Sequence, residues 1–317
     1  MTKERDHGGG IDSAMANYGG NREDWIDLST GINPTPYPVP KIPEQCWTSL
    51  PDKKAITDLE IAARTFWNIP NNQDVVAAGG ASALIAAMPR ILNGTKFAIT
   101  QPTYNEHRAA FEANGWIDSP ETADVQVFVH PNNPDGQFGR LIEEGGPAYQ
   151  IIDESFCDVA PDRSFAQQPL PDGTIILKSF GKFWGLAGLR LGFAICSPEL
   201  ARKLRDQLGP WQVSGPACAI GTTALKDSEW AQTMRLRLNV DAQRLDEVLA
   251  SNGLQPIGGT DLFRLVSSKN ASVTKNHLAQ NQILTRIFPY SKTWVRFGLP
   301  GTKTQWDRLE TALRSHP

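Results

Sequence analysis

Residues 174–193 read TIILKSFGKFWGLAGLRLGF, an apolar β-branched run followed by a glycine-rich turn that contains Lys182. The run predicts a buried strand, and the turn would expose the lysine amine to a ligand while the strand holds it in place. A lysine amine can condense with the aldehyde group of a cofactor. Ser179, three residues before Lys182, and Arg190, eight residues after it, are suited to bind the phosphate of such a cofactor. Lys182 is therefore the predicted attachment point.

Lys178 is the other lysine of this stretch and the rival attachment point. The residue three positions before it is Ile175 and the residue eight positions after it is Leu186, and neither side chain can bind phosphate. Most lysines are simply exposed at the surface, so a lysine alone would not indicate a function. The serine and the arginine at these distances favour Lys182.

Length and composition restrict the class of protein. With 317 residues, the chain can form one large domain and a smaller companion. The apolar share of 40% and the charged share of 21% are typical of a globular protein, and the net charge of −3 gives no basic excess for nucleic acid. Nucleic-acid binding is therefore not expected.

The sequence contains no recognisable membrane span or export signal. The first ten residues, MTKERDHGGG, lack the apolar core of a signal peptide, and no run of about 18 apolar residues occurs. We therefore expect a cytoplasmic protein without a membrane partner. The four cysteines are widely separated and form no C-x-x-C motif, which favours reduced thiols over disulfides and predicts no metal site.

Short apolar segments alternate with amphipathic segments over the first two thirds of the chain. This alternation predicts a largely parallel sheet covered by helices. The predicted strands are 75–78, 96–100, 125–129, 151–152, 175–177 and 193–196, and the predicted helices are 55–67, 82–92 and 106–114.

The pattern changes at both ends of the chain. Residues 28–40 contain four prolines and cannot form a regular helix. Beyond Pro198, helices predominate, with predicted helices at 199–208, 228–251 and 303–314 and predicted strands at 262–266 and 293–297. We therefore predict an N-terminal arm at 1–40, a large domain at 41–205 and a small C-terminal domain at 206–317.

Seven residues of the stretch 174–193 together resemble a known signature: Ser179, Lys182, Gly188, Leu189, Arg190, Leu191 and Gly192. They are similar to the lysine signature of the fold-type I pyridoxal 5'-phosphate enzymes, which include the class I and II aminotransferases. The nearest resemblance is to the branch of histidinol-phosphate aminotransferases and threonine-phosphate decarboxylases. It implies an α/β fold with a mostly parallel seven-stranded sheet covered by helices and a smaller α/β C-terminal domain. It also implies pyridoxal 5'-phosphate as cofactor, bound to Lys182, and a homodimer.

The turn after the first strand of the predicted sheet carries further expected cofactor contacts. Gly80, Ala81 and Ser82 lie between a predicted strand and a predicted helix, where backbone N–H groups favour an anion. Their position matches the phosphate-binding turn of the family. The resemblance therefore implies that they bind the cofactor phosphate together with Ser179 and Arg190.

Three more residues match positions around the cofactor ring in this family. Tyr104 matches the aromatic residue that stacks on the ring. Asn133, in the loop HPNNPDG, matches the amide that donates to the ring hydroxyl oxygen. Asp153, which opens the sequence DESF, matches the carboxylate that keeps the pyridine nitrogen protonated, so that the ring accepts electrons. The expected catalytic residues are thus Lys182 and Asp153.

The N-terminal arm carries two matches to the substrate-binding residues of the family. His7 and Gly8 begin an HGG sequence that resembles the threonine-phosphate decarboxylases, although Gly10 stands where the enterobacterial-type sequences have Asn. Asn33 belongs to a short segment, residues 29–34, that ends in Asn-Pro as in these relatives. The resemblance implies that His7, Gly8 and Asn33 reach the substrate.

Arginines of the C-terminal part complete the expected substrate site. Arg296, in WVRFG, matches the arginine that binds the substrate carboxylate in a bidentate manner. Arg286 resembles a second anion-binding arginine of the branch with phosphorylated substrates. Arg264 is a third candidate, and the sequence leaves open whether it faces the site.

The resemblance implies decarboxylation of L-threonine O-3-phosphate to (R)-1-aminopropan-2-yl phosphate in cobalamin biosynthesis. Asp135 stands where most relatives have Thr, and Phe156 stands where transaminases commonly have Tyr. Both differences favour the decarboxylase, with a histidinol-phosphate or related class I and II aminotransferase as the alternative. A protein that binds the cofactor without catalysis is a third hypothesis. His107, His130 and His277 lack a neighbouring nucleophile motif, so no Ser-His-acid triad is expected.

Overall fold

The structure, a computed structural model, describes residues 5–315. Its α-helices are α1 (Ile11–Tyr18), α2 (Gln45–Thr48), α3 (Lys53–Phe66), α4 (Ala81–Ile91), α5 (Asn105–Ala113), α6 (Pro198–Leu208), α7 (Gly215–Lys226), α8 (Ser228–Ser251), α9 (Ala271–Gln280) and α10 (Lys303–Arg314). No helix within the described residues is both long and apolar enough to cross a membrane.

The strands follow the same chain order. They are β1 (Ile26–Asp27), β2 (Asp74–Ala78), β3 (Lys96–Ile99), β4 (Ile117–Asp118), β5 (Val125–Val129), β6 (Tyr149–Asp153), β7 (Thr174–Ser179), β8 (Gly192–Cys196), β9 (Gln255–Thr260), β10 (Phe263–Ser267), β11 (Ile283–Leu284), β12 (Arg286–Ile287) and β13 (Trp294–Gly298).

The described residues form two compact units. The large unit contains Pro36–Asn133 and Phe138–Thr233, and the small unit contains residues 5–35, Pro134–Gln137 and residues 234–315. The division at residues 40 and 205 stays a prediction, and the compact units differ from it in placing residues 206–233 in the large unit.

The large unit is built on a seven-stranded sheet in the order β2-β8-β7-β6-β5-β3-β4. The pairs from β7 through β4 are parallel, and β8 runs antiparallel to both of its neighbours. Strands β5, β6 and β7 are buried along almost their whole length, as expected of strands with both faces covered. The predicted mostly parallel seven-stranded sheet is therefore confirmed.

Helices α4, α5 and α6 contribute to a hydrophobic core cluster of the large unit. Their buried residues Leu84, Phe111 and Leu204 belong to one cluster with Phe97 of β3 and Val127 of β5. Polar caps determine where the later helices of this unit begin, because the Ser197 hydroxyl accepts a hydrogen bond from the first turn of α6, and Ser214 does the same for α7. The apolar residues thus determine how the helices pack on the sheet, and the polar caps determine where α6 and α7 begin.

The small unit contains an antiparallel sheet in the order β12-β13-β10-β9, and β1 pairs with β11 in parallel. The short segment Pro134–Gln137 belongs here because the amide of Gly259 donates to the carbonyl of Asp135 at 2.9 Å. Gly136 has φ +73°, and a Cβ atom there would collide with the carbonyl of Gly259. Glycine is therefore required at this approach of two backbones.

Candidate active site

Lys182 lies in the turn that follows β7 in the large unit. Aromatic residues anchor this turn: Phe180, Phe183 and Trp184 are fully buried, and the rings of Phe180 and Trp184 are stacked at 4.9 Å. The Nζ atom of Lys182 itself lies 5.0 Å from the ring centroid of the buried Phe156. The turn that carries the lysine amine is thus anchored by buried aromatic residues both before and after Lys182.

Lys178, the rival lysine, is engaged elsewhere. Its side chain is 1% exposed, and its Nζ lies 2.6 Å from a carboxylate oxygen of Glu154 and 3.5 Å from one of Asp158. Burial lowers the pKa of Lys178, but the two carboxylates outweigh it and hold that pKa above its usual range. Lys178 is therefore a charged member of a buried network, which agrees with the choice of Lys182.

The predicted phosphate-binding residues come together at one end of three strands. Gly192 of β8 pairs with Ala78 at the end of β2 and with Ser179 at the end of β7. Gly80, the residue before α4, has φ +93°, and a Cβ atom there would lie 2.6 Å from a guanidinium nitrogen of Arg190. The start of α4, a serine hydroxyl and a guanidinium are therefore neighbours.

This cluster has the chemistry of an anion site. The amides of Ala81 and Ser82 lie in the first turn of α4, at the positive end of the helix dipole. No side chain caps this end of the helix, so a bound anion can accept hydrogen bonds from it. Arg190 has a left-handed backbone at φ +53°, and it donates to the carbonyl of Ala187 at 3.0 Å. Main-chain N–H groups, a hydroxyl and a guanidinium are a donor set that suits a phosphate dianion.

Asp153 ends β6 and is fully buried next to His107 of α5. The distance between His107 Nε2 and Asp153 Oδ2 is 2.9 Å, and the amide of Ser155 donates to Oδ1 at 2.9 Å. Burial alone would raise the pKa of Asp153, but the hydrogen bonds from His107 and Ser155 outweigh it and lower that pKa. Because Asp153 stays ionised, it accepts the bond and His107 Nε2 carries the proton.

No role for His107 was predicted from the sequence, where this residue was named only to reject a Ser-His-acid triad. The available signal was its spacing, since His107 lies one helical turn after Tyr104, and the two rings are 6.2 Å apart. Its partner Asp153 is 46 residues away in sequence. A contact of this kind becomes visible only when α5 and β6 are placed together.

Tyr104 and Asn133 lie in loops that a polar contact joins. Tyr104 immediately precedes α5, and Asn133 is a buried residue beyond the end of β5. Between them, the side chain of Asn132 accepts from Thr103 at 2.6 Å and donates to the carbonyl of Pro102 at 3.0 Å. The loops after β3 and β5 are therefore held together.

All of these large-unit residues follow the carboxyl ends of strands. The loops after β2, β3, β5, β6 and β7 lie at the same end of the sheet, because those strands point in the same direction. Ligands of open α/β sheets bind outside the carboxyl ends of the strands. The structure thus brings together the residues that the sequence predicted as cofactor contacts: Gly80, Ala81, Ser82, Tyr104, Asn133, Asp153, Ser179, Lys182 and Arg190.

The small unit contains a pair of arginines on adjacent strands. Arg286 of β12 and Arg296 of β13 are direct cross-strand partners. Arg296 is 2% exposed, and burial, with the nearby Arg286 charge, lowers its pKa to about 9. Like charges opposite each other in a sheet cost stability, so this arrangement favours binding of anions.

A cavity of about 550 Å³ lies in the small unit next to Arg286. His7, Gly8, Ser29 and Lys275 also line it. The amide of Gly9 donates to the Ser29 hydroxyl at 2.8 Å, which fixes the HGG sequence to the cavity wall. His7, Gly8 and Arg286 thus line one cavity, and their role in substrate binding stays a prediction.

Arg296, Asn33 and Arg264 are not among the residues that line this cavity. The side-chain oxygen of Asn33 accepts from the amide of Thr35 at 2.9 Å, a turn in the proline-rich segment. Arg264 forms an ion pair with Asp246 at 2.7 Å. The role predicted for Asn33 stays a prediction, and Arg264 has a structural partner.

His130, Glu154 and Cys157 are the kind of side chains that bind metals, and their ligand atoms lie within 4.8 Å of one another. His130 accepts from the amide of Gly139 and contacts the carbonyl of Arg163 at 2.8 Å, while Glu154 pairs with Lys178. The Cys157 thiol donates to the carbonyl of Ala160 at 3.7 Å. Each of the three side chains thus has a partner within the protein.

Comparison with known proteins shows the family of this chain. Residues 141–313 match the family of class I and II aminotransferases. Over 97% of both chains, the sequence is 37% identical to a threonine-phosphate decarboxylase of Pseudomonas aeruginosa and 38% identical to one of a Sinorhizobium species. Among solved structures, the histidinol-phosphate aminotransferase of Clostridium acetobutylicum matches with a TM-score of 0.77 and 21% identity, covering 90% of this chain and 97% of that one.

The chain therefore belongs to the threonine-phosphate decarboxylases, within the class I and II aminotransferase family. This membership confirms the family that was predicted from residues 174–193, and the solved structure confirms the fold class. Enzymes of this family depend on pyridoxal 5'-phosphate, so the predicted enzyme class and cofactor are confirmed with it.

Proposed function

We propose that this enzyme decarboxylates L-threonine O-3-phosphate to (R)-1-aminopropan-2-yl phosphate, as a step of cobalamin biosynthesis. The observation that carries the proposal is the cross-strand pair of Arg286 and Arg296. Threonine phosphate presents a carboxylate and a phosphate in one molecule, whereas histidinol phosphate has only the phosphate. Two adjacent guanidinium groups suit a substrate with both anions.

The large unit offers groups that fit each part of the cofactor. Ser179, Arg190 and the start of α4 would hold its phosphate, since the Arg190 guanidinium lies next to Gly80 and Ser179 pairs with Gly192, which lies next to the Ala81 amide. The ionised Asp153 would bind the protonated ring nitrogen, and Lys182 would form the covalent link. Tyr104 and Asn133 would contact the ring from the neighbouring loops. When bound, pyridoxal 5'-phosphate supplies a conjugated ring that accepts the electron pair of a bond broken at Cα.

The residues of the chain would direct this chemistry to the carboxylate. Arg296 would bind the carboxylate, and Arg286 and His7 would bind the phosphate, which together fix how the substrate is turned. Asp153 remains negative through the reaction because His107 donates to it within a buried site. Lys182 would be released from its covalent link when the substrate amine takes its place, and after carbon dioxide leaves, its free Nζ would donate the proton that replaces the carboxylate at Cα.

The reaction can be tested with two substrates on the same holoenzyme. With threonine phosphate we expect carbon dioxide and aminopropanol phosphate in equal amounts, and with histidinol phosphate and 2-oxoglutarate we expect no glutamate. Glutamate without release of carbon dioxide would replace the decarboxylase proposal with the aminotransferase. A cofactor spectrum that no amino acid or phosphorylated amino acid changes would support a protein without catalysis.

We also propose a homodimer in the cytoplasm. The family resemblance supports the dimer, and the exposed side chains of Trp47 (68%) and Leu50 (64%) in the large unit offer apolar surface that a second subunit could cover. Light scattering tests the dimer, and a fully active monomer would contradict it. Cell fractionation tests the location.

A further inference from the structure

We propose that Asp6 is an internal competitor of the substrate phosphate for Arg286, so that phosphate binds only after it displaces this carboxylate. The proposal rests on the proposed function, in which Arg286 binds the phosphate. It concerns a residue of the small unit for which the sequence predicted no role.

Arg286 is held by Asp6 through two hydrogen bonds from one nitrogen. The Nη2 atom of Arg286 donates to the Asp6 carboxylate and to the Asp6 main-chain carbonyl, each at 3.0 Å. The Arg286 side chain is 10% exposed and that of Asp6 is 42% exposed. The arginine is thus largely fixed in the protein, while its carboxylate partner is open to exchange.

The geometry of this contact leaves part of the arginine unused. The Nε atom of Arg286 is buried and finds no hydrogen-bond acceptor among residues 5–315. Nε and Nη2 form the edge of a guanidinium that binds carboxylates and phosphates in a bidentate manner. Asp6 therefore occupies one of two donors on that edge, and a phosphate that bonded to both would satisfy a buried donor that Asp6 leaves unmet.

Charge favours the exchange in the same direction. Asp6, His7, Lys275 and Arg286 all line the cavity of about 550 Å³, and Arg296 is the cross-strand partner of Arg286. In the absence of substrate, Asp6 supplies one negative charge to this basic surface. A phosphate monoester supplies about 1.5 to 2 negative charges, so its electrostatic attraction to these basic residues is stronger than that of Asp6.

The competition has a consequence that depends on the ligand. The affinity for a phosphorylated ligand is multiplied by the fraction of time that Asp6 leaves Arg286 unoccupied, so it is lower the more often Asp6 holds this arginine. Unphosphorylated threonine has a hydroxyl in place of the phosphate and leaves the ion pair intact, so its binding does not depend on Asp6. Asp6 is therefore expected to affect phosphorylated ligands alone.

The test compares Asp6→Asn with Asp12→Asn in the holoenzyme. Asp12 is a matched control because it also pairs with an arginine, Arg22 at 2.8 Å, in the small unit, but it does not line the cavity. For Asp6→Asn we expect the KM for threonine phosphate and the inhibition constant of inorganic phosphate to fall about two- to fivefold, the size of a partly exposed ion pair. The inhibition constant of unphosphorylated threonine should not change, and Asp12→Asn should resemble the unmodified enzyme.

Three results would overturn the proposal. These are unchanged constants in Asp6→Asn, an equal fall in Asp12→Asn, or weaker phosphate binding in Asp6→Asn, which would make Asp6 a support of the site. Calorimetry with inorganic phosphate gives the same comparison without turnover. The unmodified enzyme and Asp6→Asn could both fail to decarboxylate threonine phosphate while inorganic phosphate binds more tightly to Asp6→Asn. In that case the proposed reaction is wrong, but the competition between Asp6 and phosphate is supported.

Discussion

The two units of this enzyme build their candidate sites in different ways. In the large unit, the site residues follow the ends of strands and belong to short sequence motifs, such as the turn that carries Lys182. In the small unit, residues 5–8 contribute to the same cavity as Arg286, nearly 280 residues later. The site of the large unit is specified by short sequence motifs. The site of the small unit depends on the pairing of strands and on contacts between residues that are far apart in sequence.

The largest expected effect tests the locally encoded site. Replacing Lys182 with Ala should reduce decarboxylation at least about 10³-fold, because the covalent link and the proton donor are lost together. The visible absorbance of the bound cofactor should change with it. Borohydride reduction followed by peptide mapping should label Lys182 in the unmodified enzyme. Label on Lys178 would contradict the assignment.

The second prediction separates a buried lysine from an exposed one. Lys178→Met leaves Glu154 and Asp158 without their buried cation, so we expect a loss of about 3–5 kcal/mol in the free energy of unfolding, measured in urea. Lys54→Met is the control, since Lys54 pairs with Asp58 at the surface, and it should change stability by about 0.5 kcal/mol or less. Equal effects of the two substitutions would show that the buried network is not a major source of stability.

The third prediction addresses the register-dependent site. Arg296→Lys keeps a positive charge but loses the bidentate contact, so kcat/KM for threonine phosphate should fall about 10²-fold. Thermal denaturation should show whether the fold is retained. If Arg296→Lys were as active as the unmodified enzyme, the carboxylate would bind elsewhere.

The smallest expected effect concerns His107, whose ring donates a hydrogen bond to the Asp153 carboxylate. His107→Asn should lower kcat about 10-fold, with the KM for threonine phosphate nearly unchanged. Asp153 has a lowered pKa, so it contributes stability above its unfolded-state pKa of about 3.9 that is lost as the pH falls toward the folded-state value. Without His107, burial raises that pKa, so acid unfolding should begin at a higher pH. An unchanged acid transition would mean that His107 does not stabilise the Asp153 charge.

Much of the large unit could be predicted from the sequence because its strands are buried runs with clear ends. Strand β5 was predicted at its observed bounds, and most of the other predicted strands and helices lie within two residues of the observed elements. Helix α7 was missed because it is rich in small residues and has no clear apolar period. One of these, Gly221, lies where a Cβ atom would meet side chains of Leu191 and Leu59, so close packing explains the small residue.

The small unit could be predicted less well because its site depends on pairing. The sequence singled out Arg286 and Arg296 by resemblance, but nothing local indicates that they are direct partners on β12 and β13. Strand β12 contains only two residues, too few for a periodic pattern. The contact of Asp6 with Arg286 is equally invisible, since it joins residues 280 positions apart.

The most direct test of the account is a spectroscopic titration of the holoenzyme with three ligands. Threonine phosphate carries both anions, threonine carries only the carboxylate, and histidinol phosphate carries only the phosphate. If Arg286 and Arg296 bind the two anions of one substrate, threonine phosphate should bind about 10²-fold more tightly than either of the others. Histidinol phosphate that binds as tightly as threonine phosphate would contradict the central claim.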